Sequence, residues 1–107
     1  MQSQIGNAVI LKCVDTLVAG TETFNLGTYA NKNVIVVHGC YYSPNKTMVG
    51  YGMTEIIKPG ETKSSSLKAS SNNATTITCK HNGTSLSFNN NSGIATNQAR
   101  GIYCIVL

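Results

Sequence analysis

The chain has 107 residues and 41% apolar content, enough for one domain around a single core and too little for two. Only 11% of the residues are charged, whereas Asn, Ser and Thr make up about a third, which gives a neutral-polar surface poor in acid–base groups. The net charge of +4 arises from eight basic and four acidic residues, and the cations are scattered along the chain rather than gathered into the stripe that nucleic acid requires, so no nucleic-acid partner is expected.

In chain order, Met1-Gln2-Ser3-Gln4 lacks the basic and apolar regions of a signal peptide. No apolar run approaches the roughly 20 residues that span a bilayer, and no membrane insertion is expected. Residues 8–17, 23–26, 33–42, 48–58 and 101–107 are rich in Val, Ile, Tyr and Thr and read as strands. Turn-forming groups separate them at Gly20-Thr21, residues 27–31, Ser43-Pro44-Asn45-Lys46 and Lys58-Pro59-Gly60. Residues 34–37 are continuously apolar, which predicts a central strand covered on both faces or one at a subunit interface. Gly50-Tyr51-Gly52 lacks the third glycine and following helix of a nucleotide loop, and predicts a bend or bulge in a strand.

Residues 61–73 and 89–98 are dominated by small polar side chains, which predicts exposed long loops or weak edge strands. Between them lies a hairpin. Asn82-Gly83 favours a two-residue type I′ turn, with His81 opposite Thr84, Cys79 opposite Leu86 and Ile77 opposite Phe88. This pairing places those apolar residues on a core face and Thr76, Thr78, Lys80, Ser85, Ser87 and Asn89 on a solvent face. The run from Ile102 to Leu107 must dock in a sheet or against another subunit. No window carries a helical period. The fold class is therefore all-β: a single antiparallel β-sandwich over residues 1–107, with about seven or eight short strands and the jelly roll as one candidate form.

Cys13, Cys40, Cys79 and Cys104 each fall inside a strand-like run. Small apolar core thiols are favoured over two disulfides, because disulfide-built domains carry denser, loop-borne cysteines. Without a C-x-x-C pair, and with His38 and His81 far apart, no metal site or cofactor is expected. A Cys40–His38 or Cys40–His81 dyad is the best enzymatic alternative, a cysteine hydrolase, but Cys40 lies among core formers and no catalytic residue is assigned. The four acids, Asp15, Glu22, Glu55 and Glu61, are dispersed, and no phosphate loop or nucleophile elbow is present.

Binding has better support. Tyr41, Tyr42 and Tyr51 flank a loop containing Asn45 and Lys46, bringing amphipathic rings beside hydrogen-bonding groups on which sugar rings can stack. Asn89, Asn90 and Asn91 offer amides on a second loop. These eight residues are the candidate ligand-binding set.

The segment Gly20-Thr21-Glu22-Thr23-Phe24-Asn25-Leu26, the 33–42 strand, the Asn/Ser/Thr-rich loops and the apolar C-terminal strand together resemble the small β-sandwich domains at bacteriophage tail-fibre tips and related virion receptor-binding proteins. The resemblance covers nearly the whole chain. It implies a non-enzymatic receptor-binding tip on a virion, made in the host cytoplasm, working as a homotrimer and recognising a host-surface glycan or protein. A capsid-decorating structural protein is the runner-up.

Overall fold

The structure, a computed structural model, describes residues 9–42, 46–70, 73–90 and 97–107. Among these, eight strands occur: β1 (Val9–Leu17), β2 (Gly20–Asn25), β3 (Val34–Tyr42), β4 (Thr47–Met53), β5 (Thr62–Ser70), β6 (Asn73–His81), β7 (Ser85–Asn90) and β8 (Asn97–Val106). They form two four-stranded antiparallel sheets of order β1-β8-β3-β4 and β2-β7-β6-β5, packed as a sandwich. The fold class expected from the sequence is observed. β1 and β2 pair with β8 and β7, the nesting of a hairpin wrapped on itself, whereas β3–β4 and β5–β6–β7 are consecutive hairpins. The jelly-roll wrap is thus confined to the first and last two strands.

Alternation along the strands builds the core. Val34, Val36, Ile102, Cys104 and Val106 point inward from the first sheet and meet Ile77, Cys79, Leu86 and Phe88 from the second. Each fully buried aliphatic or aromatic side chain contributes about 1.5–3 kcal/mol relative to exposure. β3 is central, between β8 and β4, as its apolar run predicts. Its alternate residues Ile35 and Val37 turn to the outer face, where they remain half-buried. The C-terminal run docks as β8 between β1 and β3.

The β6–β7 hairpin departs from the expected register by two residues. His81 pairs with Leu86 and Cys79 with Phe88, and Asn82 N donates to Ser85 O at 2.8 Å, so Gly83-Thr84 is the turn centre. Gly83 has φ 89° and Thr84 has no positive φ, the pattern of a turn with glycine first rather than type I′. Two tertiary contacts fix this choice, Asn31 N donating to Gly83 O at 2.8 Å and Leu26 N to Thr84 O at 2.9 Å, and a local bond from Gly83 N to His81 Nδ1 at 3.0 Å supports it. A slip of two preserves side-chain faces, so the predicted inward set stays inward.

Residues 61–73 include the edge strand β5, in which Ser65 is buried while Ser64 and Ser66 face outward. The exposed-loop expectation for residues 89–98 fails at both ends. Asn90 is buried within β7, and Asn97 and Gln98 open β8.

Candidate binding surface

The two outer faces differ sharply in chemistry. On the second sheet, cross-strand pairing sets Ser64, Thr78, Asn89 and Thr21 in one row. Their side chains are linked by Ser64–Thr78 and Asn89–Thr21 hydrogen bonds of 2.9 and 2.8 Å, and Ser66–Thr76 joins at 2.8 Å. This is the neutral hydroxyl and amide surface implied by the composition. The first sheet instead turns Ile10, Ile35, Val37, Tyr103 and Ile105 outward at its β1–β8–β3 end, around an open apolar depression of about 280 Å³ lined by Ile10, Val37, Tyr103 and Ile105. Exposed Met53 stands beside Val37.

Towards the β4 side, the same face becomes aromatic and cationic. Gly39 pairs with both Tyr51 and Arg100, and Tyr41 with both Met48 and Gln98, giving two adjacent cross-strand rows. The Arg100 guanidinium carbon lies 3.7 Å from the Tyr41 ring centroid, a cation–π stack. Arg100 Nε and Nη2 donate to Gln98 Oε1 at 3.2 and 3.0 Å, so the guanidinium is held from its face and one edge. Tyr51 is 70% exposed. Glycine at position 39 is what lets these side chains cross the strand: a Cβ there would overlap the Met48 methyl and stand 2.7 Å from Arg100 O.

Of the eight candidates, the structure brings Tyr41 and Tyr51 together on this face. Tyr42, one residue on, alternates to the opposite face in register with Thr47 and Asn97. Lys46 is exposed just before β4, with φ 51°. Asn89 lies on the outer face of the other sheet, bonded to Thr21. Asn90 corrects the expectation of a surface amide: it is only 4% exposed, and its Nδ2 donates to Leu17 O at 2.7 Å and Val18 O at 3.0 Å. Its amide is a structural strut for the β1–β2 turn. Asn45 and Asn91 lie outside the described residues. Arg100, Gln98 and Met48 were not singled out by the sequence, although Arg100 is the chain's one arginine. Their role follows from strand order, which puts β8 and β4 on either side of β3.

Between the sheets runs a polar seam. His38 Nε2 and Ser65 Oγ are hydrogen-bonded at 2.9 Å, and Cys40 Sγ and Thr75 Oγ1 at 2.9 Å. All four residues are buried. Burial lowers the His38 pKa, with its contact to Ser65 opposing the shift. Each member of the suggested Cys40–His38 dyad is thus hydrogen-bonded to a hydroxyl of the other sheet. His81 is bonded elsewhere, between Lys32 O at 2.7 Å and Gly83 N.

Cys13, Cys79 and Cys104 belong to the apolar core, and all four cysteines are free thiols. Interaction with the Cys104 thiol, with burial, raises the Cys13 pKa, the same interaction lowers that of Cys104, and burial pushes Cys79 up to about 12. Among the described residues, no cluster of His, Cys, Asp or Glu could hold a metal ion, and no helix is long and apolar enough to cross a membrane. No known family model, curated protein or solved structure matches the chain.

Proposed function

We propose that this chain is a non-catalytic receptor-binding module of a virion fibre, of the bacteriophage tail-fibre kind, that assembles as a homotrimer and recognises a host-surface glycan. The observation that carries this reading is the paired rows Arg100–Gly39–Tyr51 and Gln98–Tyr41–Met48 on one sheet face. A pyranose offers an apolar C–H face and a rim of hydroxyls. The exposed Tyr51 ring suits the first, and the amide–guanidinium pair of Gln98 and Arg100, backed by Tyr41, suits the second. Three hydrogen-bonded strands hold the patch, so little conformational entropy would be lost on binding.

The trimer reading draws on the other half of the face. Ile10 is 67% exposed and Met53 64%, beside half-buried Ile35, Val37, Tyr103 and Ile105, an apolar patch of the type that marks protein–protein contact. Repeating it around a threefold axis would bury it and set several glycan sites side by side, multiplying weak single-site affinity.

The test is binding of the purified chain to host envelopes. Tyr51→Ala should weaken binding about 5- to 150-fold, the equivalent of about 1–3 kcal/mol for a good aromatic contact. Light scattering should give a trimer. A strict monomer that binds assembled viral shells, with Tyr51→Ala without effect on envelope binding, would move the assignment to capsid decoration.

A further inference from the structure

We infer that the glycan taken by the Tyr41–Tyr51 surface is acidic, with its carboxylate or phosphate held by Arg100. This rests on the binding reading above and adds the charge class of the ligand. Three observations on the same face converge on it.

The first is the state of the guanidinium. Stacking on Tyr41 at 3.7 Å fixes its plane, and Gln98 Oε1 takes Nε–H and one Nη2–H. A guanidinium has five N–H donors in a planar fork, so three lie beyond those directed at Gln98. A planar cation held in one orientation suits a carboxylate or phosphate better than the diffuse hydroxyls of a neutral sugar.

The second is the distribution of acids. β3, β4 and β8 contain no Asp or Glu. The four acids of the chain lie elsewhere: Asp15 pairs with Lys12, Glu55 with Lys63 at 3.9 Å, Glu61 Oε1 accepts from Lys58 N at 2.9 Å, and Glu22 is on β2. No strand of this patch supplies a counter-charge.

The third is the surroundings. The Arg100 row ends in the exposed Tyr51 ring, and Met48 fills the neighbouring row. A sugar stacked there would displace water from the guanidinium. With a neutral ligand that desolvation goes unrewarded; with an acidic one it strengthens the ion pair. Lys46 is exposed immediately before β4, the strand that carries Met48 and Tyr51.

The purified full chain is applied to an array of neutral, uronate-bearing and phosphodiester-bearing glycans, and the hits are titrated in solution. At least one acidic class should bind about tenfold or more tightly than its neutral counterpart, and its affinity should fall as salt is raised. The two acidic arms identify whether carboxylate or phosphate is the recognised group. Arg100→Lys should lose about tenfold, since the point charge keeps neither stack nor fork, and Arg100→Gln should lose more. Lys80→Gln removes the same charge from the opposite sheet and should change nothing. If Arg100→Gln does not fold, the acidic-to-neutral ratio and the salt dependence of the unmodified chain still decide. Equal affinity for neutral glycans, insensitive to salt but lost in Tyr51→Ala, overturns the acidic assignment and leaves the binding function standing. Absence of binding to every glycan class overturns both.

Discussion

His38 in β3 and Ser65 in β5 join the two sheets through a 2.9 Å hydrogen bond between Nε2 and Oγ, while Nδ1 of the same ring has no hydrogen-bond partner among the described residues. Placing the proton on Nε2 leaves Nδ1 as a bare acceptor. Protonating Nδ1 as well would create a buried charge and an N–H with nothing to receive it, the costlier of the two defects.

Acid should therefore weaken the fold. Because burial lowers the His38 pKa below the ordinary value of about 6.5, the folded chain binds fewer protons than the unfolded chain between those two values. The contribution is fully present above about pH 6.5 and declines as pH falls, with a slope of at most about 1.4 kcal/mol per pH unit for one proton. Urea midpoints at pH 7.5 and 5.0 measure it. His38→Gln can keep a bond to Ser65 without titrating, and should be less stable at pH 7.5 but show a smaller loss on acidification. An unchanged loss in this variant would assign the acid sensitivity to another group.

The same seam depends on a residue that is not there. At Gly52 a Cβ would stand 2.6 Å from both His38 Nε2 and Ser65 Oγ, so even a methyl group must push the pair apart. Gly52→Ala should cost about 1–3 kcal/mol, the range for overpacking a filled interior. Chemical denaturation of the variant reads this directly, and pairing it with Ser65→Gly should recover part of the loss because one of the two closest clashes is removed.

How far the fold was legible in the sequence can be seen at Asn89 and Asn90. Composition and alternation identify strands, and the outward set of the β6–β7 hairpin is correct even though its turn is displaced by two residues, because such a slip conserves faces. Adjacent asparagines in one polar run look alike, yet one meets Thr21 at the surface and the other carries two carbonyls in the interior. That distinction depends on β2 lying against β7, a pairing of strands about 70 residues apart that no local pattern encodes. The candidate surface shows the same limit: Tyr41 and Tyr51 share a recognisable segment, whereas Arg100 reaches them only through the β8–β3 pairing.

The two asparagines should respond differently to truncation. Asn90→Ala leaves Leu17 O and Val18 O without their amide donor and opens a buried space, so a loss of about 1–3 kcal/mol is expected. Asn89→Ala gives up one exposed bond and should stay within about 0.5 kcal/mol. Equal effects in equilibrium unfolding would contradict the buried-strut role of Asn90.

Thiol chemistry offers a test of the core without mutation. Cys40, Cys79 and Cys104 are wholly buried and only Cys13 is half-buried. Reactivity requires an accessible thiolate: interaction with Cys104 raises the Cys13 pKa, the same interaction lowers the Cys104 pKa at a sulfur that is wholly buried, and burial pushes Cys79 up to about 12. At pH 8 the native chain should consume an aromatic disulfide reagent slowly and at Cys13 first, whereas in denaturant all 4 thiols should react at once. Mass mapping of the modified cysteine distinguishes this order from random labelling. Rapid native labelling of Cys79 or Cys104 would mean that the sheets separate readily, because neither sulfur is reachable while β6 and β8 remain packed face to face.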